Sequence, residues 1–247
     1  MGEYELQIDS EFDFVGMSFD GNAVVSEDRH RKLAVLQTEL RVHSWRYRRV
    51  KRFMDIAGAL LMLALCLVPG LLVAAAVALT SRGPIFYRET RIGRCGKPFR
   101  IWKFRSMRAK SEWQDSPSTR ASSGVLLHWR IHKVQHDPRI TPVGGFLRRW
   151  SLDELPQVFN VLRGDMSLIG PRPVIEAEVQ LYGQLRHYYL VATPGLSGLW
   201  QVSGRSNVNF AARANLDATY VRNWSLLTDV AILCRTLPAV LGRVGAR

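Results

Sequence analysis

Two adjacent carboxylates, Asp153 and Glu154, stand in the run Ser151-Leu152-Asp153-Glu154-Leu155-Pro156-Gln157. A second motif follows, Gly164-Asp165-Met166-Ser167-Leu168-Ile169-Gly170-Pro171-Arg172-Pro173, and it holds Arg172 between two prolines. An ionised carboxylate can attack phosphorus or hold a divalent cation. A guanidinium whose backbone is stiffened on both sides can grip phosphate oxygens bidentately. The pairing suits phosphoryl transfer. A purely structural reading stands beside it: Ser151-x-x-Glu154 fits a helix capping box, with Asp153 in the first turn where the helix dipole favours negative charge. The two readings are compatible, because a helix N-terminus also favours phosphate.

Other candidates are weaker. Lys103 and Arg105, in Lys103-Phe104-Arg105-Ser106-Met107, share one face if the segment is a strand, where they meet phosphate or lipid headgroups. Gly204-Arg205 closes the glycine-punctuated stretch 194–205, whose small residues let backbone N–H groups approach an anion that the arginine can pair with. His128, His132 and His136 recur every fourth residue. No carboxylate accompanies them at helical spacing, so no metal role is assigned. Cys66, Cys95 and Cys234 are widely spaced, which suggests neither a disulfide framework nor a thiolate metal site.

These groups need a scaffold, and the chain offers one in three parts. Residues 1–45 form an acidic stretch with one short helical segment, read as a mobile tail. Residues 46–82 hold a basic flank and an uncharged run, Ile56–Thr80, of the length that spans a bilayer as a helix. Pro69-Gly70 stands at its centre, where proline removes a helical hydrogen bond. The two arms, about 13 and 11 residues, reach roughly 20 and 17 Å, and neither crosses a ~30 Å hydrocarbon core. Basic residues flank the run on both sides, Arg46 to Arg52 before it and Arg82 to Arg105 after it, whereas a simple span shows asymmetry. The expectation is a re-entrant helix broken at Pro69, with a kinked spanning helix as the alternative. Residues 83–247 read as a cytoplasmic catalytic domain. It has a hairpin over 84–104, a polar loop over 108–124, and helices over 126–135, 152–162, 174–190, 209–223 and 226–244. The fold class is α+β, mostly helical, on a monotopic membrane protein.

Charge narrows the partners. The 247-residue chain carries +13, yet eight acidic residues and no Lys or Arg fall in the first 28 positions. Setting these eight aside leaves 34 basic residues against 13 of the 21 acidic ones, a net +21. Such a surface attracts nucleic acid, anionic lipid or phosphorylated substrates. The cations gather around the apolar run instead of interleaving with aromatics on a nucleic-acid motif, so membrane lipid is expected and nucleic acid is not. The first residues lack the basic region and apolar core of a cleaved signal peptide.

In matching order from about Lys51 to the C-terminus, the chain carries Lys51-Arg52-x-x-Asp55, a proline-interrupted hydrophobic segment, Lys103-Phe104-Arg105-Ser106-Met107, Asp137-Pro138-Arg139-Ile140-Thr141, Ser151 to Gln157, Gly164-Asp165-Met166-Ser167, Pro171-Arg172-Pro173 and Pro194-Gly195-x-x-Gly198-x-x-Gln201-Val202-x-Gly204-Arg205. This set resembles the bacterial sugar transferases, the monotopic polyprenyl-phosphate hexose-1-phosphate transferases. The resemblance implies transfer of a sugar-1-phosphate from a UDP-sugar to undecaprenyl phosphate with release of UMP, at the bacterial inner membrane, as the first membrane step of exopolysaccharide or O-glycan synthesis. It implies Asp153 as covalent nucleophile and Glu154 as a Mg²⁺ partner. Arg172, Arg205, Lys103 and Arg105 become substrate-binding candidates, and Pro69 the helix break. The family's Ser-Pro pair is Val68-Pro69 here, which removes a hydroxyl near the break. A non-catalytic membrane scaffold of glycan assembly is the alternative, and homo-oligomerisation is left open.

Overall fold

The computed structural model describes residues 45–108, 139–204 and 208–241. Its first element, helix α1 (Trp45–Thr80), has 36 residues, roughly 54 Å at helical rise. It continues through Pro69, so the expected division into two helices does not occur. Proline removes one bond, but Leu and Ala dominate both flanks and favour helix. Leaving the helix in an apolar setting would orphan further backbone groups.

Helix α1 touches the rest of the protein near both ends. Ala59, fully buried, packs with Met62 and Leu63 against Ile101, Val158, Val161 and Met166. Farther on, Val77 packs with Val73 and Ala74 against Phe104 and Leu147. Between these anchors Leu60, Leu61, Leu65, Leu67, Val68, Leu71 and Leu72 are each more than half exposed. Only 11% of its most apolar window is buried, which separates it from the core helix of a soluble domain and marks it as the membrane-associating element.

The hairpin forms as expected. Strands β1 (Phe86–Ile92) and β2 (Pro98–Phe104) pair antiparallel, with Phe86 opposite Phe104 and Ile92 opposite Pro98. A helix the sequence reading did not anticipate, α2 (Pro142–Arg149), begins at Thr141, whose hydroxyl accepts the Gly144 N–H at 2.9 Å. The helix expected over 152–162 is split into a 3₁₀ turn, Leu152–Gln157, and α3 (Val158–Arg163). Pro156 has no N–H to give the Leu152 carbonyl, so the regular α ladder starts only after it. Gly164, at φ 90°, ends α3, the left-handed stop that glycine adopts without penalty.

Two short strands were not anticipated. Strand β3 (Ser167–Ile169) pairs in parallel with β4 (Gly195–Ser197). The helix expected over 174–190 is α4 (Glu176–Leu181) and α5 (Arg186–Val191), separated by a 3₁₀ turn in which Gly183 has φ 52°. After the short α6 (Leu199–Val202) come α7 (Phe210–Arg222) and α8 (Leu226–Leu241). Asn209 caps α7 by accepting the Ala212 N–H at 2.8 Å. Ile169, Val191, Val221, Trp224 and Ile232 form the core beneath these last helices. Of the tail expected over 1–45, residues 1–44 lie outside the described residues, as do residues 109–124 of the expected polar loop and the helix expected over 126–135.

Candidate active site

The two carboxylates sit on the 3₁₀ turn, just after Ser151 in a left-handed conformation at φ 56°. A serine seldom adopts it, and here it replaces the expected capping box. The Ser151 hydroxyl makes no cap bond; the Ser151 carbonyl accepts the Glu154 N–H instead, at 3.2 Å.

Glu154 Oε1 accepts from Lys103 Nζ at 2.8 Å and from an Arg172 guanidinium nitrogen at 3.4 Å. Lys103 comes from β2, and Arg172 from the chain that follows β3. The Arg172 backbone is held on all sides. The Gly195 N–H donates to the Pro171 carbonyl at 2.8 Å, Arg213 donates to the Arg172 carbonyl at 3.4 Å, and the Val174 N–H donates to the Tyr189 hydroxyl at 3.1 Å. Lys103, Glu154 and Arg172 line one narrow cleft together with Arg91, Gln157 and Leu196.

Asp153 lies beside that cleft, 8% exposed. Among the described residues it makes no hydrogen bond or ion pair. Burial pushes its carboxyl above the usual carboxylate range, and the Glu154 carboxylate pushes in the same direction. Lys103, Arg148 and Arg172 oppose the rise. A buried carboxylate that no donor holds, beside a neighbour that two cations hold, is a group able to react.

The other expected residues fall elsewhere. Arg105 lies just past the end of β2, and its guanidinium donates to the Val77 carbonyl at 3.1 Å, the Ser81 carbonyl at 2.6 Å and the Pro84 carbonyl. It clamps the C-terminal end of α1, whose last carbonyls lack helical partners, whereas Lys103 reaches Glu154. Lys51, Arg52 and Asp55 also serve the scaffold. Lys51 donates to Asp229 at 2.7 Å, Arg52 to the Val161 and Leu162 carbonyls ending α3, and Asp55 accepts from Ser167 Oγ at 2.9 Å and the Leu168 N–H at 3.0 Å. Arg205 and the three histidines lie outside the described residues.

The glycines of 194–205 have a use other than exposing N–H groups to an anion. A Cβ on Gly195 would stand 2.0 Å from the Gly170 nitrogen, so glycine is what lets β3 and β4 approach. The Gly170 N–H donates to the Ser197 carbonyl at 2.9 Å.

Sequence reasoning missed Arg91, Gln157 and the support of Arg172. Arg213, 8% exposed, lies 4.9 Å from the Trp200 ring centroid and 3.7 Å from Glu178, and Arg172 lies 5.6 Å from the same ring. Asp217 is 3.9 Å from Arg213 and accepts the Tyr182 hydroxyl at 2.7 Å. Burial pushes its carboxyl up to about 6, against the pull of Arg213. Only Gln157 had a local signal, as the last residue of the carboxylate motif.

Among the described residues no group of three acidic, histidine or cysteine side chains could cage a metal. Among the described residues that line the cleft, Glu154 is the one carboxylate. That fits Mg²⁺, which keeps waters and substrate phosphates around it and needs only one or two carboxylates from the protein.

The family model for bacterial sugar transferases matches residues 46–243. A UDP-galactose-lipid carrier transferase of Erwinia amylovora is 44% identical over 85% of this chain, which spans 44% of that protein. The exopolysaccharide production protein ExoY of Rhizobium meliloti is 44% identical over 77% of this chain and is covered over 84% of its own length. An undecaprenyl-phosphate galactose phosphotransferase of Salmonella typhimurium is 48% identical over 66% of the chain, which covers 35% of it. This chain thus spans less than half of the larger relatives and most of the smaller one. The stretch that matches the model includes the membrane-associating helix, the hairpin and both carboxylates, and the chain belongs to the bacterial sugar transferase family.

Proposed function

We propose that this protein transfers sugar-1-phosphate from a UDP-sugar to undecaprenyl phosphate, releasing UMP, as the entry step of exopolysaccharide or surface glycan synthesis. Asp153 Oδ attacks the sugar-bearing phosphorus of the donor, and the bond to the bridging oxygen breaks to release UMP. An oxygen of the lipid phosphate then attacks the same phosphorus, which frees Asp153 and leaves a lipid diphosphate sugar. The observation that carries this reading is the buried Asp153 without a hydrogen bond, next to Glu154 held by Lys103 and Arg172. Lys103 and Arg172 bind and orient the donor diphosphate, and Arg213 with Trp200 positions Arg172. Glu154 would hold Mg²⁺, which offsets charge as two anionic groups approach. UMP release from a panel of UDP-sugars, with and without undecaprenyl phosphate and with Mg²⁺ removed and restored, tests the reaction class and the donor together. Absence of lipid-dependent UMP release with every donor overturns the proposal.

The membrane arrangement follows from α1. Segments toward both its ends pack on the same globular body while the face between them is exposed, which supports a wedge seated in one leaflet without crossing it, with the body on the cytoplasmic side of the inner membrane. A spanning helix would carry one of those ends to the far side. Cysteine labelling at Arg46 and Arg91, with Cys66, Cys95 and Cys234 replaced by serine, is expected to find both sites reachable only from the cytoplasm. Periplasmic labelling of either site contradicts the wedge.

A further inference from the structure

A second cavity, about 250 Å³, opens where the first turns of α1 meet the β1–β2 turn and the end of α5. It shares no lining residue with the cleft around Glu154. Four cations, Arg48, Lys51, Arg52 and Arg94, line it against the single carboxylate of Asp55. Met166, Ile169, Val191 and Trp224 supply apolar wall.

The four cations are not equivalent. Lys51 answers Asp229 and Asp55, at 2.7 and 3.7 Å, and Arg52 is engaged by the α3 carbonyls. The Arg48 and Arg94 side chains make no hydrogen bond or ion pair among the described residues, and the Arg94 Nε is buried without a partner. A buried guanidinium N–H without an acceptor is costly. An anion in the cavity would meet the Arg48 and Arg94 side chains that line it, and Asp55, already answered by Lys51, Ser167 and the Leu168 N–H, offers little repulsion.

The position of the cavity selects the anion. Two residues beyond Lys51, Phe53 is 71% exposed and begins the exposed apolar face of α1, which the proposed membrane arrangement turns toward lipid. The cavity therefore stands where α1 enters the bilayer, at the level of the headgroups. We infer that it binds the phosphate headgroup of an anionic phospholipid, with Arg94 and Arg48 as its charged contacts and the acyl chains leaving along the exposed face of α1. The catalytic cleft shares none of these residues, so this lipid is a resident that seats the body on the membrane and is distinct from an acceptor substrate.

The test uses the full chain purified in mild detergent, with lipid adducts counted by native mass spectrometry. Phosphatidylglycerol is expected to be retained at one per chain and phosphatidylcholine not. Charge-assisted hydrogen bonds are among the strong ones, so Arg48→Gln/Arg94→Gln should weaken phosphatidylglycerol retention about tenfold or more. Because neither side chain ties the fold together, the variant should keep its melting temperature, and Arg94→Gln alone should give a smaller loss in the same direction. Inorganic phosphate in excess should not displace the lipid. Equal retention of both lipids, unchanged retention in the double variant, or displacement by inorganic phosphate overturns the assignment, the last by pointing to a free phosphoryl compound.

Discussion

Lys51, Asp55 and Asp229 make one buried cluster of charges; Lys103, Asp153, Glu154 and Arg172 make another. In the first, every carboxylate has donors of its own. Asp229 receives Lys51 at 2.7 Å, the Tyr220 hydroxyl at 2.7 Å and the Trp224 indole at 3.3 Å, and Asp55 receives Ser167 and Leu168. In the second, both cations turn to Glu154, and among the described residues the Asp153 carboxylate has no hydrogen bond. A closed cluster joins α1 to α8 and β3, whereas the open one leaves a buried carboxylate able to act as the proposed nucleophile. The contrast teaches that charge in a motif is not evidence of chemistry until its partners are counted.

The largest effect should follow from touching the open cluster. Asp153→Asn is expected to lower turnover by on the order of 10⁴-fold or more, as loss of a covalent nucleophile does, with the melting temperature nearly unchanged. UMP release beside a thermal melt measures both. Touching the closed cluster should do the opposite. Asp229→Ala leaves Lys51 without its nearest partner, and breaking a buried pair typically costs about 3–5 kcal/mol of stability. The folded fraction, measured by active-site titration, should still turn over. Normal stability with lost turnover would erase the distinction between the clusters.

Asp217 supplies a third, graded case. Its folded value, about 6, lies above the unfolded value near 4, so the native state holds the proton more tightly. Its contribution to stability is complete below about pH 4 and is lost as pH rises through about 6. Roughly two pH units at about 1.4 kcal/mol each give on the order of 3 kcal/mol. Asp217→Asn should flatten that part of the stability–pH curve, measured by denaturant unfolding across the window; an unchanged slope would remove Asp217 as its source. The smallest effect is a shift in a rate profile. Since Glu154 helps raise the Asp153 carboxyl, Glu154→Gln should move the acid limb of kcat/KM to lower pH while reducing its height. A limb that stays in place would mean that burial alone sets it.

What the sequence disclosed and what it withheld divide along the same physical line. Local devices were legible: the hairpin over 84–104, the helix over 209–223 and the carboxylate pair all rest on neighbours in the chain. The parallel pairing of β3 with β4 was not, because three-residue strands carry no period and the approach of Gly170 to Gly195 is tertiary. Arg105 looked like a partner of Lys103 by alternation, but β2 ends between them, and carbonyls at and just past the end of α1 claim it. Arg213 carried no local signal at all, since its value lies in reaching the Arg172 carbonyl from a helix 41 residues away. Pro69 was expected to break a helix that its Leu- and Ala-rich flanks keep whole.

The identity of the attacking oxygen decides most directly whether Asp153 is the nucleophile. The enzyme, incubated with UDP-sugar labelled in the sugar-bearing phosphate and with no lipid acceptor, is digested and its peptides are sequenced by mass spectrometry. Label on the peptide containing Asp153, localised to that side chain and discharged on adding undecaprenyl phosphate, is the expected result. Label on another residue, or none on an enzyme that turns over normally once lipid is supplied, would contradict it.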